Sequence, residues 1–304
     1  KMSNPLVSIV IPVFNGSDFL KEAIESALNQ TYQNIEILVI NDGSNDNNKT
    51  EKICKSYGNK IRYFYKENSG VASALNLGIN ESRGKFFSWL SHDDTYKPHK
   101  IKTQIGFINN NASAKIVSSD FEIFFQEKNA LEDRLIKGYK VFKNGRDILW
   151  NWLDFCTFLV DIDCFKKVGL FDTRHRTTQD ADMQFRLVNC FPIFHINHTL
   201  TTRRVHSNQD SKTQYSYHIK EKDIFIKNLP KKYGLHFFKE KLSESDYLTF
   251  LHLGINALKK NCYKSSTYFL IKAFLKKPFS PRLLFMILFG KKMPNILNRE
   301  ISQK

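Results

Sequence analysis

No cysteine in this chain has a partner at metal or redox spacing. The five (Cys54, Cys156, Cys164, Cys190 and Cys262) are odd in number and scattered, with no CxxC pair among them. Neither a zinc knuckle nor a disulfide framework is indicated, and they read as buried, reduced thiols of a cytosolic protein. Long apolar runs are missing too. The longest, "LLFMILF" at 283–289, falls far short of the ~20 residues that cross a bilayer. "KMSNPLVSIVIPVF" lacks the charged, apolar and small-residue order of a signal peptide. An integral membrane protein is therefore not expected. No GxGxxG follows the first strand-like run and no P-loop occurs anywhere, so a bound nucleotide would lack a glycine-rich cradle for its phosphates. There is no internal repeat and no low-complexity segment.

Acidic charge is scarce overall and unevenly so. The 304 residues carry a net charge of +16, but residues 212–304 hold 19 Lys and Arg against 6 Asp and Glu, a net of +13. Residues 1–211 hold 27 against 24, a net of +3. A uniformly basic nucleic-acid binder would not show this split, and aromatic–basic interleaving on one sheet face is not found, so no nucleic-acid partner is expected. Hydrophobic content of 41 % with 13 % aromatics suits a sizeable core and excludes a disordered chain.

What is present is an alternation. "VSIVIPVF" (7–14), "IEILVIND" (35–42), "IRYFYKE" (61–67) and "KFFSWL" (85–90) read as buried strands. Amphipathic stretches at 17–30, near 47–57 and at 70–82 read as helices, the first capped by Ser17 or Asp18, and Pro98 opens a fourth. This βα alternation predicts an α/β fold with a Rossmann-like, mostly parallel sheet and helices on both faces. Beyond 110 it loosens. Residues 114–125 and 155–165 read as strands, 180–190 as a helix, and 192–206 as an edge or antiparallel strand. Two halves follow from this, a nucleotide-binding half of about 1–110 and an acceptor half of about 111–215. A basic, mainly helical C-terminal region at 216–304 completes the chain. There, Ser243 and Asp246 fit a capping box, Ser265 or Ser266 opens a second helix ended by Pro278, and Ser280-Pro281 opens a third stopped by Gly290.

Ligands of an open parallel sheet bind outside the carboxyl ends of its strands. Those ends deliver Asn15 and Gly16, then Asn41, Asp42, Gly43 and Ser44, then Glu67 and Asn68, then Ser91, His92, Asp93 and Asp94. Aspartates at two of the four ends suit a divalent cation, held by Asp93, that offsets phosphate charge. Asp42 in "NDGSND" could equally be a turn residue, and Asp93 and Asp94 helix caps. His195 and His198, at i,i+3 on a strand, face opposite ways and are poor joint ligands.

The run from "VSIVIPVFNGSDFL" to "INDGSNDNN", then "GVASALNLGINESRGKFFSWLSHDD", then "TTQDADMQFRL" resembles an inverting family 2 glycosyltransferase of the GT-A fold and bacterial surface-glycan type, over roughly residues 6–210. The resemblance implies a sugar-nucleotide donor, a UDP-sugar by family habit, embraced by Pro12, Phe14, Asn15 and Asp42, with Arg83 at the base. It implies a D-x-D-like stretch of Ser91, His92 and Asp93, in which Asp93 binds Mn²⁺ or Mg²⁺ and His206 of "RRVHSNQ" joins that metal. It implies Asp180, rather than Asp182, as the catalytic base. Two positions depart from the pattern: Ser91 stands for the first Asp of D-x-D, and Gln179 for the Glu of a Glu-Asp pair. Gln179, Trp150 and Trp152 are assigned to the acceptor pocket. The acceptor is expected to be a saccharide or lipid-linked saccharide, with the basic C-terminal region on an anionic membrane surface at the cytoplasmic face, and a homodimer is a further expected partnership. A degenerate module that holds sugar nucleotide or glycan without turnover is the rival reading.

Overall fold

The computed structural model describes residues 4–136, 140–149, 153–207, 209, 213–239 and 243–278. The chain divides into two units, Lys1–Asn144 with Trp152–Gln209, and Gly145–Asn151 with Asp210–Lys304.

In the first unit the strands are β1 (Val7–Val13), β2 (Ile35–Asp42), β3 (Arg62–Lys66), β4 (Phe86–Trp89), β5 (Thr95–Tyr96), β6 (Ile116–Phe125), β7 (Ala130–Arg134), β8 (Lys140–Phe142), β9 (Leu159–Asp161) and β10 (Ile193–Val205). They form one sheet in the order β3-β2-β1-β4-β9-β6-β10-β5, with β7 on β6 and β8 on β10. β3, β2, β1 and β4 are parallel, as the apolar runs predict, because βα crossovers bury both faces. β1 is buried throughout. The helices are α1 (Leu20–Leu28), α2 (Lys49–Ser56), α3 (Val71–Glu81), α4 (Lys100–Asn110), α6 (Asp163–Val168) and α7 (Gln179–Val188) in this unit, with α5 (Gly145–Leu149) in the second.

Alternate residues of β1 face opposite layers. Ile9, Ile11 and Val13 pack with Leu20, Ala23 and Ile24 of α1, Cys54 of α2, and Ile101 and Ile105 of α4. Val10 faces α3, which comes so close that a Cβ on Gly78 would lie 2.3 Å from Val10 Cγ1. On that same side Phe87 meets Phe165 edge-on at 5.3 Å, and Trp89 packs on Phe155 and Phe171.

Three local expectations change. α1 starts at Leu20 with no side-chain cap, rather than on Ser17 or Asp18. Only Leu159–Asp161 of 155–165 is strand, and a 3₁₀ turn at Phe155–Thr157 precedes it. β10 is neither an edge nor purely antiparallel. It runs parallel to β6 along one side, and on the other is flanked antiparallel by β8 and β5. Its alternation reports burial of one face and says nothing of neighbours. His195 is buried on β10, with Nε2 2.9 Å from Asp120 Oδ1 and Nδ1 2.9 Å from Ser118 Oγ, while His198 is exposed.

In the second unit, α8 (Tyr215–Tyr233), α9 (Asp246–Lys259) and α10 (Tyr263–Lys276) bury Leu253, Ala257, Phe269, Leu270 and Ala273. Ser245, not Ser243, caps α9 by accepting from the Leu248 N–H. Ser265 and Ser266 lie inside α10, whose first N–H groups are capped from another helix: Asp223 of α8 accepts from Lys264 and Ser265 N–H at 2.8 and 2.7 Å. The predicted helix after Ser280 lies outside the described residues.

Candidate active site

The first two strand ends are tied together. Pro12 is buried in β1, and its missing N–H faces β4, whose pairing with β1 ends at Val10↔Trp89. Phe14 is 43 % exposed beside it. Asn15 adopts a left-handed φ of 50°. Its N–H donates to Ser44 Oγ (2.9 Å), its Nδ2 to Asn45 Oδ1 (2.7 Å), and its Oδ1 accepts from Asn45 N–H (2.8 Å). Asp42 is buried and engaged: Oδ1 accepts from Lys66 Nζ (2.6 Å) and Ser69 N–H (3.1 Å), Oδ2 from Gly70 N–H (2.7 Å). It thereby closes the start of α3. A cleft of ≈ 290 Å³, lined by Asn41, Ser44, Asp46, Asn48, Glu51 and Tyr65, opens next to this loop.

Arg83 is not with them. Its N–H donates to Glu36 Oε1 (2.6 Å) and the next N–H, of Gly84, donates to Ser8 Oγ (2.9 Å). Glu36 and Ser8 begin β2 and β1, so Arg83 stands at the amino rim of the sheet, the opposite end from Asn15 and Asp42. A residue that leads into a parallel strand cannot sit at that strand's carboxyl end.

The loop after β4 is held by β10. Asp93 Oδ2 lies 3.3 Å from His206 Nε2 and accepts from Gln209 Nε2 at 3.4 Å. Arg204 Nε donates to the Asp93 carbonyl (3.1 Å), and Arg204 N–H donates to Asp94 Oδ1 (2.9 Å). The Arg204 guanidinium is buried against Phe19 and Phe124, paired with Glu22, and hydrogen-bonded to Gln126. His206 packs on the Phe19 ring at 4.8 Å. His92 lies over Gly16, where a Cβ would come within 2.3 Å of its Cδ2. Ser91 Oγ is 3.4 Å from Cys156 Sγ.

A second group of acids completes the rim. Asp180, at the start of α7, is partly buried, and its Oδ1 accepts from Ala181 N–H (2.8 Å). Burial first, and Asp154 next among the acids, raise its carboxyl to about 6. Asp182 instead faces Arg186, at 2.7 Å. Gln179 is buried, and its Oε1 has no hydrogen-bond partner among the described residues. Burial, then Asp93 and Asp154, push Asp94 well above the usual carboxylate range. Cys156 is likewise raised, by burial and then by Asp154 and Asp94. Arg203 answers these charges, with its guanidinium 3.8 Å from Asp154 Oδ2. Burial works against its charge, but Asp154, Asp94, Cys156 and Asp93 hold it above the ordinary arginine value. Asp154 and Arg203 carry no motif, and sequence reasoning did not find them. The one available signal was a doubled arginine on an alternating strand, which places a charge on each face. Trp150 and Trp152 lie outside the described residues.

Residues 8–160 match the model described as "Glycosyl transferase family 2". The chain belongs to glycosyltransferase family 2. Similar proteins include an uncharacterized glycosyltransferase of Rickettsia typhi, 44 % identical over 215 residues that cover 69 % of this chain and 67 % of that one. One of Rickettsia felis is 40 % identical over 253 residues, 80 % of this chain but only 41 % of the relative, so the match spans less than half that protein's length. Among solved structures, "S. aureus TarS 1-349 in complex with UDP-GlcNAc" superposes with a TM-score of 0.64 at 13 % identity, covering 95 % of this chain and 88 % of the other. The likeness is one of fold, and the fold of this family 2 chain is the expected GT-A α/β architecture.

Proposed function

We propose that this protein is an inverting glycosyltransferase that moves a sugar from a nucleotide donor, a UDP-sugar, to a hydroxyl of a saccharide or lipid-linked saccharide. The observation that carries the reading is that Asp180 and the Asp93–Asp94 loop share one electrostatic neighbourhood at the sheet's carboxyl rim: Asp154 acts on both Asp94 and Asp180, Arg203 acts on both as well, and Asp93 acts on Arg203. The UDP and UDP-GlcNAc complexes of the TarS fold relative support the choice of nucleotide.

The residues divide the work. Asp180, with a carboxyl near 6, is ionised at neutral pH yet basic enough to take the proton of an acceptor hydroxyl as its oxygen attacks the anomeric carbon from the face opposite the nucleotide. Phe14 and the clasp between Asn15, Ser44 and Asn45 shape the nucleoside end, and Asp42 fixes the β3–α3 loop beside it. His92, packed over Gly16, and Ser91, beside Cys156, complete the proposed donor-binding set. Among the described residues no three His, Cys, Asp or Glu side chains converge on one point. Even so, the 3.3 Å between Asp93 Oδ2 and His206 Nε2 is close to the ~3 Å that separates two adjacent donors of one octahedral ion. These two residues would hold Mn²⁺ or Mg²⁺, and substrate phosphates and water would complete its shell. Such an ion supplies charge neutralisation for the departing diphosphate.

The basic C-terminal region, net +13 over 212–304, is proposed to rest on an anionic membrane surface where a lipid-linked acceptor is held, on the cytoplasmic side. Among the described residues no helix is long and apolar enough to cross a membrane. A turnover assay tests the central reading: with UDP-sugars offered in turn, Asp180→Asn should lower kcat by about 10²-fold or more while UDP binding is retained. Equal turnover in parent and variant would remove Asp180 from the chemistry. Absence of turnover and of nucleotide binding in the parent would favour a binding module for glycan alone.

A further inference from the structure

Phe19 occupies a position that helix chemistry does not choose for it. It stands at the N-cap of α1, where the oxygen of a Ser, Thr, Asp or Asn would accept a first-turn N–H, and its ring has no such oxygen. Ser17 and Asp18, just before it, could have served. A local rule broken with no gain to the helix marks a side chain selected for what it touches.

What it touches comes from the far side of the domain. Arg204, near the end of β10, and His206, just past it, are two residues apart, the spacing that puts side chains on one face of an extended chain. Both meet the same ring. The Arg204 guanidinium carbon lies 4.6 Å from the Phe19 centroid, and the His206 ring lies 4.8 Å from it. Arg204 is pinned, because Glu22, Gln126 and the Asp93 carbonyl hold its guanidinium. Phe19 is pinned as well. Its N–H and that of Leu20 both donate to the Gly16 carbonyl (3.2 and 3.0 Å), and its own carbonyl accepts from Ala23 N–H at 3.2 Å. The imidazole therefore rests on a fixed surface, with Nε2 3.3 Å from Asp93 Oδ2. A ligand ring already held by its neighbours loses less freedom on taking a cation than one that swings.

We propose that Phe19 is a positioning residue, whose ring holds His206 against Asp93 and so raises the affinity of that pair for a divalent cation. The inference rests on the reading that Asp93 and His206 hold the metal. It makes the β1–α1 turn serve both ends of the donor, since the same turn carries Asn15, which clasps Ser44 and Asn45 at the nucleoside end.

The test is a titration of Mn²⁺ into the full chain in the presence of UDP, with free Mn²⁺ read by electron paramagnetic resonance and a melting temperature recorded for each protein. The proteins are the parent, Phe19→Leu, Phe19→Tyr, His206→Ala and the double variant of Phe19→Leu with His206→Ala. Leucine keeps apolar volume and loses the ring, whereas tyrosine keeps the ring. Phe19→Leu should weaken Mn²⁺ by about tenfold, and Phe19→Tyr should bind it as the parent does. With His206 already replaced, Phe19→Leu should weaken Mn²⁺ no further, whatever it does to the melting temperature. Equal losses with and without His206 would make Phe19 a packing residue of the fold and overturn the inference. Unchanged Mn²⁺ affinity in Phe19→Leu would overturn it too. Binding as tight in His206→Ala as in the parent, or none in the parent, would remove the metal reading itself, and this inference with it.

Discussion

Asp93 Oδ2 lies 3.3 Å from His206 Nε2, across 113 residues of chain. The contact joins the end of β4 to the end of β10, and Arg204 locks the same two ends together through the Asp93 carbonyl and the Asp94 carboxylate. The acid loop is therefore fixed from a strand that the sequence places in the other half of the domain.

The carboxyl of Asp180, raised to about 6 chiefly by burial, gives opposite signs for rate and stability. As the base, Asp180 must be ionised, so kcat/KM should rise with pH and level off above about 6. Its folded pKa lies above its unfolded value of about 4, so the folded state binds the extra proton between those values and stability falls as pH rises through that window. At pH 7 Asp180→Asn should accordingly raise stability by up to about 3 kcal/mol while abolishing the pH limb. Urea melts and pH–rate profiles of both proteins check this. A less stable variant would contradict it.

Lys100 is wholly buried in α4, donating to Ser88 Oγ and Gln104 Oε1 (both 3.0 Å) and facing the Tyr96 ring at 4.2 Å. Burial lowers its pKa from 10.5 to about 7. Above the folded value the unfolded chain binds the proton that the folded chain has lost, so stability should climb between about pH 7 and 10 by a few kcal/mol. Lys100→Met should flatten that slope. An unchanged slope in the variant would show that other groups produce it.

Gly16 admits no side chain, because a Cβ would sit 2.3 Å from His92 Cδ2 and 2.6 Å from Val13 Cγ2. Gly16→Ala should cost about 1–3 kcal/mol and displace His92, weakening nucleotide binding beyond the loss of stability. Full nucleotide affinity in Gly16→Ala would separate His92 from the site.

The parallel half of the sheet was legible because strands covered on both faces must be apolar throughout, as β1 and β2 are, and because their polar exits, Asn15, Asp42 and Asp93, coincide with the ends of those runs. Arg83 was placed at the base by the resemblance, whereas a strand of four residues separates its rim from that of Asp93. Asp154 was hidden in a 3₁₀ turn whose partner, Arg203, comes from β10. The cap of α10 was hidden for the same reason, since Asp223 belongs to another helix. Periodicity reports which face is buried; it carries no record of what crosses from a distant element.

The most direct test of the metal–diphosphate site is thermal shift with UDP, GDP and dTDP, each with and without Mn²⁺, on the parent and on Asp93→Asn. Stabilisation by UDP, larger with Mn²⁺ and lost in Asp93→Asn, is the expected result. If no nucleotide stabilises the parent under any condition, or if Asp93→Asn responds as the parent does, Asp93 and His206 do not hold the donor.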